Sequence, residues 1–187
     1  MIEPWRAISS RPLADFRVFS VREERRASPR TGAILDFFVL DAANWVNVVA
    51  LTPDDQMVLV EQYRHGSNTV ELEIPGGVMD PADISPVATG CRELEEETGF
   101  VGEDPQIVGQ VFPNPAIMSN TCFTVLVRNC RLVKAVKLDQ GEDLATRLVP
   151  AAQVPELVAS GQIRHSLIVA ALYQFDLWSQ RHGAGKK

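Results

Sequence analysis

The stretch "CRELEEETGF", residues 91–100, decides how this chain is read. Glu93, Glu95, Glu96 and Glu97 put four carboxylates into five positions of a helical pattern. Residues three and four apart on a helix are neighbours, and like charges there cost roughly 0.2–0.5 kcal/mol per pair. Glu93 faces both Glu96 and Glu97. These acids also sit toward the C-terminal end of the helix, ahead of Gly99, where the macrodipole disfavours negative charge. Ser85 is the expected N-cap, Pro86 suits the first helical position, where a missing N–H is harmless, and Gly99 is the expected C-terminal stop, so the helix should run over 86–98. Gly90 inside it costs about 1 kcal/mol relative to alanine and points to close backbone packing.

Glu93, Glu96 and Glu97 share one face of that helix, while Glu95 points away. Such an array of hard oxygen donors suits Mg²⁺ or Mn²⁺. Taken with "GG" at 76–77, the stretch "RELEEETGF" at 92–100 resembles the Nudix box, G-x5-E-x7-R-E-U-x-E-E-x-G-U with U apolar. Arg92, Glu93, Leu94, Glu96, Glu97, Gly99 and Phe100 match its second half. The first half departs. Six residues on from Gly77 lies Asp83, whereas eight back from Arg92 lies Ile84, so the loop "GGVMDPADISP" is one residue longer and the first Glu is absent or replaced by Asp83. The plainer alternative, an acidic helix in water, explains the charge but not Arg92, Gly99 and the two glycines together.

The resemblance implies a Nudix fold, of α/β (mixed α+β) class, in which a mixed β-sheet lies between helices. It implies Mg²⁺, with Mn²⁺ as a substitute, on Glu93, Glu96 and Glu97. A backbone carbonyl at Gly76 or Gly77 would complete the ligand set, and Arg92 would orient the glutamates. Beyond the box, "QYRHG" and "ELEIPGG" look like the branch that cleaves ADP-ribose and nucleoside-diphosphate sugars. There Arg64 would contact phosphate or ribose, with a surface arginine at a strand end as the plainer reading. Glu73 would support the metal or its water in the substrate site, with a cross-strand salt bridge as the plainer reading. Pro115, sixteen residues after Gly99, stands where ADP-ribose specificity is marked in this branch, and Glu142 where a general base or water-positioning acid sits in a loop; the plainer readings are a simple turn at Pro115 and a polar surface loop at Glu142. The implied reaction is metal-dependent hydrolysis of the diphosphate link to a nucleoside monophosphate and a sugar phosphate. The alternatives are hydrolysis of nucleoside triphosphates and a non-catalytic nucleotide sensor of the same fold.

The pattern along the chain agrees with this. "DFRVFSVREE", "ILDFFVLD", "WVNVVALT", "MVLVEQY", "VELEI", "QIVGQVF", "TCFTVLV" and "LATRLVP" read as strands. "VPELVASG" reads as a short helix closed near Gly161. A longer helix follows over 166–180, with Ile168, Ala171, Leu172, Phe175 and Trp178 at core-facing spacing. Strands, a helix, strands and two helices predict a mixed sheet covered on both faces. Residues 1–44 read as an N-terminal antiparallel β extension and 45–187 as the hydrolase domain. In this branch the extension commonly pairs across a two-fold axis, so a homodimer is expected, with Arg26 of "REERRASPRTG" reaching the base-binding pocket; a solvated hairpin explains the arginines equally well.

Composition sets the outer limits. At 187 residues and 45% hydrophobic, the chain suits one well-packed domain. A net charge of −6 argues against nucleic-acid backbone binding but not against a small nucleotide with its metal. Cys91, Cys122 and Cys130 are odd in number and form no C-x-x-C pair, which argues against a disulfide framework or a zinc site. No apolar run is long enough to span a bilayer and no signal segment opens the chain, so a cytoplasmic protein without a membrane partner is expected.

Overall fold

The computed structural model describes residues 1–136, 138 and 143–183, and these divide into two compact units. The first unit joins Met1–Ala43 to Phe112–Thr121; the second joins Asn44–Val111 to the chain from Cys122 onward.

The first unit is a three-stranded antiparallel sheet of β1 (Arg6–Asp15), β2 (Phe19–Ala27) and β3 (Ile34–Ala42), paired in that order. The sequence pattern carried a strand through 15–24, but β1 ends at Asp15. The Asp15 carboxylate accepts the Arg17 N–H at 2.9 Å, and Arg17 takes a positive φ of 68°. This side-chain mimic of a backbone turn is what aspartate favours. The arginines of β2 are engaged within their own sheet. Arg22 pairs with Glu24 and Asp41, Arg25 with Asp36, and Arg26 with Glu24. Segment 112–121 joins by main-chain bonds, Leu40 N–H to Ile117 C=O at 2.7 Å and Ser119 N–H to Leu40 C=O at 3.1 Å.

In the second unit, β4 (Trp45–Ala50), β7 (Gly76–Val78), β8 (Phe100–Val111) and β9 (Cys122–Leu132) form a sheet ordered β7-β4-β9-β8. β4 and β9 run parallel and their neighbours antiparallel, so this sheet is mixed. β5 (Gln56–Arg64), β6 (Thr69–Glu73) and β10 (Leu144–Pro150) form a second, antiparallel sheet. The helices are α1 (Pro86–Thr98), α2 (Val154–Ala159) and α3 (Ser166–Gly183).

Period-two alternation sorts the strand side chains between two apolar layers. Val46, Val48, Ala50, Val125 and Val127 pack with Leu94 of α1, with Phe100 and with Val58. Val49 and Leu126 face the other way, onto Met57, Leu59, Ile163 and the α3 residues Ile168, Ala171 and Leu172. The sheets are thus covered by α1 on one side and by α2 and α3 on the other, as the pattern predicted. Phe175 and Trp178 extend the same α3 stripe, half-buried.

Helix α1 begins and ends as its sequence dictates. The Ser85 hydroxyl accepts the Ala88 N–H at 3.1 Å, and Gly99 closes the helix at φ 73°. A Cβ on Gly90 would stand 3.2–3.3 Å from Val46, Val48 and Val125, so its absence lets α1 lie close on β4 and β9. A Cβ on Gly99 would meet the Lys134 carbonyl at 2.2 Å, in a backbone conformation that already disfavours side chains. Gly99→Ala is therefore expected to destabilise the protein by about 1–3 kcal/mol, measured as a lower denaturant midpoint. An unchanged midpoint would contradict this account of the helix end.

Candidate active site

The site is built from one face of α1 and the short strand beside it. Arg92 lies at the centre of a web of acids. Its Nε and Nη2 donate to the two oxygens of Asp83 at 3.3 and 2.9 Å. Its Nη1 donates to Glu96 at 2.9 Å, one helical turn on, and lies 3.0 Å from Glu93 Oε1. Nη2 also reaches the Val78 carbonyl at 3.4 Å. The Arg92 guanidinium, first through its hydrogen bonds, holds the Asp83 carboxyl down to about 2, and Asp83 in turn raises the arginine further.

Gly76 and Gly77 bring backbone against these carboxylates. β7 pairs with β4 through Val46↔Gly77 and Asn47↔Gly76. A Cβ on Gly77 would fall 2.5–2.8 Å from the Glu93 carboxylate, and one on Gly76 would fall 2.2 Å from the Val46 carbonyl. The Gly76 N–H donates to Glu97 Oε2 at 3.0 Å. Glu93 and Glu97 are only 8% and 4% exposed, so two charged groups are held almost out of water at a place where only glycine fits. Glu95 points elsewhere, paired with Lys134.

A cavity of about 730 Å³ is lined in part by this glycine pair. Trp45, Asn47, Leu167 and Ile168 line it, and Arg64 and Glu73 form one wall. Arg64 Nε and Nη2 donate to the Glu73 oxygens at 3.0 and 2.6 Å, so the salt bridge weighed for Glu73 is present. Glu73 is fully buried, and its hydrogen bonds together with the field of Glu97 raise the Arg64 pKa. A second buried acid–arginine pair in the lining escaped the sequence reading. Arg164, just before α3, forks onto buried Glu71 at 2.8–3.2 Å, Thr69 donates to the same carboxylate, and His65 and His165 complete the lining. Strand alternation carried a signal for Glu71, because it shares a face of β6 with Glu73; nothing local in the sequence pointed to Arg164, 93 residues away.

Of the other expected site residues, Arg26 and Pro115 belong to the first unit. Arg26 donates to Glu24 and to the Trp5 carbonyl, and Pro115 opens a turn in which the Asn114 carbonyl accepts the Ile117 and Met118 N–H groups. Glu142 lies outside the described residues.

The NUDIX domain profile matches residues 43–172, most of the chain. The chain belongs to the Nudix family. Over 166 residues it is 27% identical to an ADP-ribose pyrophosphatase of Mycobacterium tuberculosis, covering 88% of this chain and 80% of that one. Over 130 residues it is 25% identical to the ADP compounds hydrolase NudE of Escherichia coli, covering 70% and 69%. A crystal structure of an ADP compounds hydrolase superposes with a TM-score of 0.85 at 21% identity, over 98% of each chain, and so shares the fold.

The residues present fit the divalent ion that a Nudix fold implies. Glu73, Asp83, Glu93, Glu96 and Glu97 gather around two guanidiniums, Arg64 and Arg92. Carboxylates on one helix face are the hard donors such ions take. Among the described residues no three acid, imidazole or thiolate groups form a ready-made ligand set, and Arg92 Nη1 is the charge that Glu93 and Glu96 share. Among the same residues, no helix is long and apolar enough to cross a membrane.

The cavity wall makes a separate prediction. Hydrogen bonds from Arg164, then from Thr69, hold the Glu71 carboxyl down to about 2. An unfolded glutamate titrates near about 4.3, so the folded value is the lower one. This group therefore stabilises the fold above that pH, and the contribution is lost as pH falls from about 4.3 toward about 2. Glu71→Gln should lower the urea midpoint at neutral pH and lose less than the parent across that acid window. Parallel acid limbs for the two proteins would show that the pair contributes nothing to stability.

Proposed function

We propose that this Nudix pyrophosphohydrolase cleaves the diphosphate link of ADP-ribose or a related nucleoside-diphosphate sugar, releasing a nucleoside monophosphate and a sugar phosphate. The observation that carries the proposal is that the cavity and the buried carboxylates Glu93 and Glu97 share the Gly76 and Gly77 backbone. One cavity runs from the Gly76 and Gly77 backbone, with Glu93 and Glu97 packed against it, past Arg64 to a wall of Glu71, Arg164 and Trp45. The first end suits a diphosphate, and the second has room for the groups attached to it. The relatives' names, ADP-ribose pyrophosphatase and ADP compounds hydrolase, support the same substrate class.

Mg²⁺, or Mn²⁺ in its place, would be held by Glu93, Glu96 and Glu97 with backbone oxygen at Gly76 or Gly77; bound there, it supplies charge neutralisation and a more acidic water. The chain's own residues do the rest. Arg64 presents planar donors to a phosphate or ribose oxygen, backed by Glu73, which fixes its orientation. Gly76 and Gly77, without side chains, let a phosphate come close to the main chain. Arg92, whose Nη1 reaches both Glu93 and Glu96, would hold the two carboxylates in register with each other for a cation. Glu142 is proposed as the acid that positions the attacking water or removes its proton.

The first unit belongs to the proposal through its surface. Ile34, Leu35, Phe37 and Phe38 of β3 leave apolar area exposed, which supports a homodimer formed through residues 1–44. Arg26 and Pro115 would then take part in recognising the base, and a cytoplasmic location goes with the same reading.

A panel of ADP-ribose, nucleotide sugars and nucleoside triphosphates, with Mg²⁺ or Mn²⁺ and product identification, tests this directly. AMP and ribose phosphate are expected from ADP-ribose. Pyrophosphate release from triphosphates alone would replace the substrate class, and tight binding without cleavage would make the protein a sensor. Glu97→Gln should lower turnover at least about a hundredfold with the circular dichroism spectrum unchanged. Near-parental turnover at saturating Mg²⁺ would remove Glu97 from the metal site. Sedimentation at micromolar concentration should give twice the chain mass; a monomer there would exclude the shared base pocket.

A further inference from the structure

The loop between β7 and α1 exceeds the box pattern by one residue, and its geometry locates both the extra residue and its counterpart. Asp83 stands at the pattern's distance from Gly77 but one residue too far from Arg92. Asp80, Pro81, Ala82 and Asp83 form a turn, closed by the Asp83 N–H donating to the Asp80 carbonyl at 2.9 Å. Pro81 sits where its fixed φ favours such a turn. The Asp83 carboxylate bends back to accept the Asp80 N–H at 2.9 Å, so its own backbone orients it. From that position it forks onto Arg92 Nε and Nη2. A two-pronged contact fixes the plane of a guanidinium as well as its place.

The next residue, Ile84, is 93% exposed, and Ser85 after it is already the cap of α1. An isoleucine left in water between two anchored residues packs against nothing there; what it adds is chain length. An aspartate carries its carboxylate one methylene nearer the backbone than a glutamate does. At the shorter spacing it would fall short of Arg92 unless the main chain took a different path.

We propose that Asp83 and Ile84 act as a compensating pair: Asp83 positions Arg92 between Glu93 and Glu96, and the looped-out Ile84 gives the backbone the path that a shorter acid needs. Asp83 acts through Arg92 and touches neither metal nor substrate. Removing it frees the guanidinium to leave the position from which Nη1 reaches both Glu93 and Glu96, so the two carboxylates lose their common alignment.

The test compares the parent with Asp83→Asn, with deletion of Ile84, and with that deletion combined with Asp83→Glu. Three quantities are measured: kcat and KM for ADP-ribose, the Mg²⁺ concentration giving half-maximal activity, and the rise in thermal unfolding midpoint caused by Mg²⁺ alone. Asp83→Asn and the single deletion should each lower kcat and weaken Mg²⁺ binding roughly 10- to 100-fold, with KM for the nucleotide little changed. The combined variant, which restores the pattern's residue and spacing together, should regain the parent's values. The pair is refuted if the deletion alone is harmless or if adding Asp83→Glu to it recovers nothing. A folded Asp83→Asn protein with parental kcat and parental response to Mg²⁺ would equally remove the positioning role. The kinetic arm rests on the proposed pyrophosphatase function. Should the parent cleave no nucleotide diphosphate, that function fails, and the Mg²⁺-induced thermal shift still decides the role of Asp83.

Discussion

Two glutamates with almost no exposure to water, held against a backbone that has no side chains at the point of contact, set the terms for the rest of the second unit. Burying a carboxylate is unfavourable unless charge and hydrogen bonds replace the lost water. Here Arg92 supplies charge near Glu93, and the Gly76 N–H supplies a hydrogen bond to Glu97. The arrangement has to be held from both sides. Gly90 lets α1 lie close on the sheet, and the pairing of β7 with β4 brings the glycine backbone to the carboxylates. The repulsion on the acidic face of α1 is thus accepted in a place where the fold leaves the helix little freedom to relieve it by moving.

The same logic recurs across the cavity. Glu73 under Arg64 and Glu71 under Arg164 are both acids buried beneath an arginine whose outer edge meets the open space. The two pairs hang from alternate positions of one strand, so a five-residue strand orients both on one face. Carboxylates beneath the arginines fix their planes without neutralising every donor, which is how a rigid cationic surface is made from a flexible side chain.

Much of this was legible because it is local. Ser85, Pro86 and Gly99 announce the ends of α1 by their backbone chemistry alone, and the mid-helix Gly90 announces close packing. The α3 stripe from Ile168 to Leu172 follows from helical period. The covered mixed sheet follows from the order of strands and helices, and the box residues point to the acidic face. What escaped depends on where the chain goes between distant positions. No periodicity links Arg164 to Glu71. The end of β1 at Asp15 turns on a single side-chain hydrogen bond that the alternating residues of 15–24 do not reveal. The sequence likewise does not reveal the partners of the β2 arginines, which are Asp36 and Asp41 of β3 and Glu24 of β2 itself.

The short pairing of β7 on β4 also governs how this chain can vary. Only Gly76, Gly77 and Val78 enter that ladder, and a slip of one residue would set the Val78 side chain where Glu93 now meets bare backbone. Gain or loss of a residue between Ile74 and Val78 therefore breaks the site at once, whereas the stretch between Val78 and Ser85 has only to deliver one acid to Arg92 and can do so by more than one route. Drift in length should accumulate on the downstream side of that strand and be purged from the upstream side, although both lie on the same surface excursion of the chain.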